Sequence, residues 1–187
     1  TCALLEPLYD TLKKKVLSAD YLQADETPIK VLDKDKKGTT HRGYHWVYHA
    51  PNERLVLFDY RQGRGREGPN EILKDFKGYL QADGYAVYED FDNKPGITLL
   101  NCMAHARRKF DEAKDNDLAK AEYALTEIQK IYAIERNAKT DELSVAQRYQ
   151  LRQEKSVPAL HDLKRWMLEN YKSVLPKSTI GQALHYS

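Results

Sequence analysis

Apolar residues recur near the start of the chain at intervals of three and four, at Leu5, Leu8, Leu12 and Val16. That spacing predicts a packing helix over 3–17, with Lys13, Lys14 and Lys15 on its wet side. The period then changes to two. Tyr21 to Glu26 alternates and predicts a strand carrying Asp25 near its end, and Pro28 interrupts before Ile29 to Leu32 resume an extended run. A charged loop over 33–42, with Gly38 as its turn, precedes two runs rich in aromatic and β-branched residues, 43–50 and 54–60. The link Pro51-Asn52-Glu53 has turn chemistry, so the two runs form a hairpin and complete an antiparallel meander. A short helix over 69–76 separates the meander from the next extended run, 78–82, which makes that connection a parallel, right-handed crossover. Asp83 is thereby expected at the same carboxyl edge as Asp25. A turn and a short helical piece then lead to 97–100, expected as a fifth strand buried on both faces.

Beyond this point the pattern is helical. In 103–114, Met103, Ala106, Phe110 and Ala113 face inward, while His105, Arg108 and Glu112 project elsewhere. Leu118, Ala121, Leu125, Ile128 and Tyr132 form a bundle-like seam. A polar break over 137–141 ends that helix, and Ser144 with Gln147 reads as a capping box opening the next. Pro158 kinks or restarts this second helix, whose inward face is Leu160, Leu163, Met167 and Tyr171. Another helix begins near Ser178. The expected organisation is a mixed α/β core over 1–116, a helical insertion over 117–175, and over 176–187 the start of a further helix of the core. The opening Thr1, in place of Met, suggests a fragment.

Composition narrows the possibilities. A 187-residue chain is long enough to bury a real core, and 41% hydrophobic with 31% charged residues suits an ordinary soluble domain. A net charge of +2 is too weak a field to argue from, so any nucleic-acid surface must be local. Two cysteines cannot build a disulfide framework, and no apolar run suits a signal peptide or a membrane span. The expected setting is a reducing cytoplasm.

The candidate chemistry centres on an echo: Gln23-Ala24-Asp25 and Gln81-Ala82-Asp83 both end extended runs on an aspartate. Two carboxylates on neighbouring strands suit Mg²⁺ or Mn²⁺, which prefer oxygen ligands and keep sites open for phosphate. A turn-forming role for each aspartate is the competing reading. His41, His45 and His49 share a strand face, yet residues four apart on a strand lie about 13 Å from each other, too far to hold one ion. The glycine-rich loop 61–70 lacks the motifs of a nucleotide cradle; Arg61, Arg64 and Arg66 either grip DNA phosphates or simply decorate an exposed loop. Arg107, Arg108 and Lys109 are a local basic cluster open to the same two readings. Cys102 and His105 make only half a zinc site.

Four segments in order, ADETPIKVLD (24–33), RGYHWVY (42–48), FKGYLQADGYAVY (76–88) and CMAHARRKF (102–110), resemble the IS66-type bacterial transposases. The likeness runs from LLEPLYDTL to VLPKSTIGQALHYS. It implies a DDE catalytic domain of the ribonuclease H-like fold: a mixed five-stranded sheet, three strands antiparallel and then two parallel, flanked by helices, with a helical insertion after strand five. It implies Asp25 and Asp83 as the first two ligands of Mg²⁺ or Mn²⁺, and His105 close to the active site, where it would orient a phosphate or a water. A histidine at a helix start bonded to backbone is the alternative for His105. Implied partners are DNA, as transposon ends and target, with homo-oligomers of the full-length protein in a bacterial cytoplasm, associated with the nucleoid. The implied reaction is metal-dependent strand cleavage and strand transfer, with water and then a DNA 3′-hydroxyl as nucleophiles. The family's third acid, a glutamate, is expected beyond Ser187, because Glu135, Glu142, Glu154 and Glu169 match no family position. The isolated chain is therefore expected to be inactive. The alternative is a non-catalytic DNA-binding or assembly module.

Overall fold

Five strands build one sheet: β1 (Tyr21–Leu32), β2 (Thr40–Ala50), β3 (Leu55–Arg61), β4 (Gly78–Ala82) and β5 (Ile97–Asn101). Their order is β3-β2-β1-β4-β5, with β1–β2 and β2–β3 antiparallel and β1–β4 and β4–β5 parallel. This is the mixed, ribonuclease H-like arrangement expected from the sequence. The computed structural model describes residues 2–33 and 38–187, so part of the charged loop predicted over 33–42 lies outside the described residues. The chain divides into two compact units, residues 1–102 and 103–187.

In the first unit, alternation sorts the strands into a dry and a wetter face. Leu22, Ala24, Trp46, Tyr48, Ala50, Leu57, Leu80 and Ala82 are buried together with Phe76, Tyr88 and Phe91. Full burial of a side chain such as Leu22, Leu57 or Leu80 contributes roughly 1.5–3 kcal/mol. The intervening residues, among them Gln23, His45, Val47, His49 and Gln81, are half-buried. The opposite polarity of neighbouring positions is what pins the register of each strand.

Several elements depart from the sequence expectations. β1 runs unbroken through Pro28, which pairs with Tyr44. Its ladder to β4 covers only Tyr21 to Gln23, so at Pro28 the missing N–H interrupts no second ladder. β5 is not buried on both faces: it pairs only with β4 and leaves Thr98 and Asn101 exposed. The crossover helix α2 spans Glu67–Ile72, starting before Pro69. In α1 (Cys2–Leu17) the apolar stripe is covered only toward its end. Val16 is buried and Leu12 packs on the core, whereas Leu5 and Leu8 are exposed. Spacing shows which side of a helix is apolar, not how far the surface opposite it extends.

The second unit comprises α3 (Met103–Glu112), α4 (Leu118–Thr140), α5 (Val145–Leu151), a π-helical turn (Arg152–Ser156), α6 (Val157–Tyr171) and α7 (Thr179–Tyr186). Phe110, Ala121, Ala124, Ile128, Leu163, Ile180, Ala183 and Leu184 form its core. Asp117 caps α4 by accepting from the Lys120 amide at 3.1 Å. α4 continues through most of the polar stretch predicted as a break, because Ala138 is buried there and packing overrides the weak helix propensity of Asn137 and Thr140. Ser144 and Gln147 form the expected capping box, and Ser178 caps α7. Pro158 leaves its mark just upstream: its ring would crowd the carbonyl four residues back, and the wider π turn ends immediately before α6. Three predicted seam residues, Leu118, Leu160 and Tyr171, are instead exposed.

Arg152 donates two hydrogen bonds, of 2.6 and 2.8 Å, to the carboxylate of Glu135 and so ties the π turn to α4. The guanidinium holds the Glu135 carboxyl below its ordinary range. A depressed folded-state pKa means stability that is present above the unfolded value and lost as pH falls through the folded one. Glu135→Gln is expected to lower stability by less than about 1 kcal/mol at neutral pH, because the pair is partly solvated. Urea melts at neutral and acidic pH check this: the difference from wild type should vanish at the acidic end.

Candidate active site

The parallel ladder matches Tyr21 with Tyr79, Leu22 with Leu80 and Gln23 with Gln81. Two residues further along each chain stand Asp25 and Asp83, at the carboxyl end of the paired segment. Paired strands run about 4.8 Å apart, so both aspartates leave neighbouring strands at the same level of the sheet. Asp25 is not near the end of its strand, as alternation suggested; β1 continues past it against β2, while β4 stops at Ala82. The carboxyl edge here is the end of the β1–β4 ladder, a property of the pair.

The repeated glutamines explain the echo in the sequence. Gln23 Nε2 donates to Gln81 Oε1 at 3.0 Å, Tyr21 OH donates to the same oxygen at 2.5 Å, and Gln23 Oε1 meets His49 Nδ1 at 2.9 Å. This polar network lies on the half-buried face, and alternation places Asp25 on that face with Gln23. Beyond β4 the chain turns sharply. Asp83 Oδ1 accepts from the Tyr85 amide at 3.0 Å, and Gly84 takes a φ of +74°, a conformation most side chains resist. The Glu26 amide donates to Asp25 Oδ1 at 2.8 Å.

Glu26 belongs to the other face. Its side chain is only 2% exposed and is held by Arg64, whose Nε donates to Glu26 Oε1 at 2.7 Å and whose Nη2 bonds the same oxygen. Burial pushes the Glu26 carboxyl above its ordinary range; Arg64 opposes that, and the negative charges of Asp83 and Asp25 add to it. Glu26 Oε2, Trp46 Nε1, Tyr48 OH and Tyr88 OH are buried without a hydrogen-bond partner among the described residues. Burial also pushes the phenols of Tyr48 and Tyr88 up. Sequence reasoning passed over Glu26, and no local signal marks it: its partner Arg64 lies 38 residues away.

The glycine-rich loop is acid-paired throughout. Arg61 bonds Asp59 and Glu71 at 2.6 and 2.7 Å, Arg64 bonds Glu26, and Arg66 bonds Asp90. The three β2 histidines share a face: His41 meets Tyr60, His45 lies edge-on to Phe58 and Tyr60, and His49 meets Gln23. His105, Arg107, Arg108 and Lys109 lie on α3 in the second unit. Arg107 and Arg108 are exposed, Lys109 Nζ lies 5.2 Å from the Tyr186 ring centroid, and His105 Nδ1 is buried without a hydrogen bond among the described residues.

The donor set fits a hard dication. Among the described residues no three His, Cys, Asp or Glu side chains gather into a cage. One or two carboxylates, with phosphate oxygens and water completing the shell, are what Mg²⁺ or Mn²⁺ typically takes from a protein, and Asp25 and Asp83 could supply them.

A mixed sheet of this order, three strands antiparallel and two parallel with flanking helices, is a ribonuclease H-like arrangement. The chain belongs to the IS66 transposase family, whose family model matches residues 1–187. Among curated proteins of Sinorhizobium fredii (strain NBRC 101917 / NGR234), it is 28% identical over 197 residues to "Uncharacterized protein y4jD", covering 98% of this chain and 38% of that protein. It is 29% identical over 202 residues to "Uncharacterized protein y4qI", covering 98% of this chain and 36% of that one. The chain thus spans little more than a third of the length of these relatives. No helix among the described residues is long and apolar enough to cross a membrane.

Proposed function

We propose that this chain contributes the metal-binding part of a DNA transposase active site, with Asp25 and Asp83 as ligands of Mg²⁺ or Mn²⁺. One observation supports the reading: in a member of the IS66 family, Asp25 and Asp83 each stand two residues past the Gln23–Gln81 pair that ends the β1–β4 ladder. When bound, such an ion supplies positive charge to a scissile phosphate and favours in-line displacement. The chain's own residues do the rest. Asp25 and Asp83 fix the ion's place, and the Gln23–Gln81 bond keeps their strands level. A third carboxylate, which the family resemblance places beyond Ser187, would complete the set in the full-length protein. Arg61, Arg64 and Arg66 are committed to carboxylates and shape their loop. Arg107, Arg108 and Lys109 on α3 would contact DNA phosphates without reading sequence. Such a protein would work in the bacterial cytoplasm on transposon ends and target DNA.

The test is a Mn²⁺ titration of the chain followed by proton relaxation enhancement, beside an Asp25→Asn, Asp83→Asn double variant. Saturable binding by the wild type and its loss in the variant are expected. Equal binding by the two proteins would remove the proposed site. The same pair in the full-length protein should separate strand cleavage from its absence.

A further inference from the structure

Arg64 occupies an unusual place, because it touches both segments that carry the aspartates. On one side its guanidinium bonds the buried carboxylate of Glu26, the residue after Asp25. On the other its Cζ lies 3.9 Å from the ring centroid of Tyr85, and Tyr85 OH donates back to the Arg64 carbonyl at 3.1 Å. Tyr85 in turn donates its amide to Asp83 Oδ1. The contacts close a circuit from Asp25 through Glu26, Arg64 and Tyr85 to Asp83, around the open end of the β1–β4 ladder.

We propose that Arg64 is a positioning residue that clamps the Asp25 and Asp83 segments at a fixed separation, with Glu26 as its anchor. Glu26 faces the side of Leu22 and Ala24, and its Oε1 is taken by Arg64. The chemistry suits arginine and not lysine. A planar guanidinium can bond a carboxylate through its edge and stack an aromatic ring on its face at once, whereas an ammonium is a point charge. The clamp also accounts for the fold of the glycine-rich loop, which must bring a side chain from the β3–α2 connection across to β1 and to the turn after β4. The part of this inference that concerns metal affinity rests on the proposed function; the part that concerns the turn does not.

Charge and geometry predict opposite results here. Arg64 is a cation near two carboxylates, so its removal by electrostatics alone should tighten Mn²⁺ binding. If it positions the ligands, Arg64→Ala should weaken Mn²⁺ affinity about tenfold, the scale seen when a residue supporting metal ligands is lost. Arg64→Lys, which keeps the charge and loses the fork, should weaken it nearly as much and also serves if Arg64→Ala does not fold. The second readout is hydrogen exchange at the amides of Tyr85 and Tyr88, bonded to Asp83 Oδ1 and the Tyr85 carbonyl. Faster exchange at both in the Arg64 variants is expected, with circular dichroism otherwise preserved. Tighter or unchanged Mn²⁺ binding in Arg64→Ala overturns the positioning role. Unchanged exchange at Tyr85 and Tyr88 overturns the clamp itself. Should wild-type Mn²⁺ binding prove indifferent to Asp25→Asn and Asp83→Asn, the metal reading fails, and the exchange measurement alone decides the clamp.

Discussion

Gly78→Ala is expected to destabilise the protein by about 3 kcal/mol or more, adding backbone strain of about 1–3 kcal/mol to a steric clash. Gly78 opens β4 with a φ of +140°, a region closed to residues with a Cβ. A Cβ built there would lie 2.4 Å from the carbonyl oxygen of Asp20. That carbonyl cannot retreat cheaply, because it accepts the Tyr79 amide at 2.8 Å, while the Gly78 amide bonds the Gly96 carbonyl at 2.8 Å. The clash therefore falls where the parallel ladder begins, at the Tyr21–Tyr79 pair. A strand displaced at that point no longer sets Gln81 against Gln23, and Asp83 drifts from Asp25. Urea denaturation gives the stability loss, and the Mn²⁺ titration should show weakened binding in whatever fraction folds. Gly63→Ala is the control: a Cβ there meets nothing closer than 3.9 Å, and a change within about 0.5 kcal/mol is expected.

Trp46→Ala should cost about 3–5 kcal/mol, the range for emptying a large aromatic site in a close-packed core. Trp46 is fully buried, pairs with Glu26 across the β1–β2 ladder, and meets Tyr88 edge-on at 6.2 Å between centroids. Its indole also lies over Gly68, where an added Cβ would come within 3.1 Å of Nε1. The ring thus fills the space between the sheet, the start of the crossover helix and the turn after β4. Trp46→Phe should cost about half as much, since it keeps an aromatic ring and removes an indole N–H that has no hydrogen-bond partner among the described residues. Thermal and urea melts of the two variants separate lost volume from a lost polar group.

Much of the fold was legible because its signals are local. The aromatic and β-branched runs at 43–50 and 54–60 read as strands, and a helix between the third and fourth strands left a parallel crossover as the short solution. Ser144 and Gln147 announced a helix start because both halves of the capping box lie within one turn. The QAD echo was legible for a related reason: its two glutamines stand at matching places on β1 and β4 and pair as Gln23 with Gln81.

What failed was whatever depended on the extent of a partner surface. The spacing of Leu5 and Leu8 marked an apolar side of α1, yet both are exposed. The apolar run of β5 suggested a strand covered on both faces, and its edge position left Thr98 and Asn101 open. Pro28 looked like a break and is not one, because the second ladder that it would have interrupted stops at Gln23.

The sequence by itself determined most of the elements and their order, since hydrophobic period, caps and turns act over a few residues. Only the tertiary structure decided that Arg64 joins Glu26 and Tyr85 and that Asp25 lies mid-strand at the end of a ladder. Contacts between residues 38 apart leave no periodic trace in the chain, because they arise only when the sheet register and the loop path are both set.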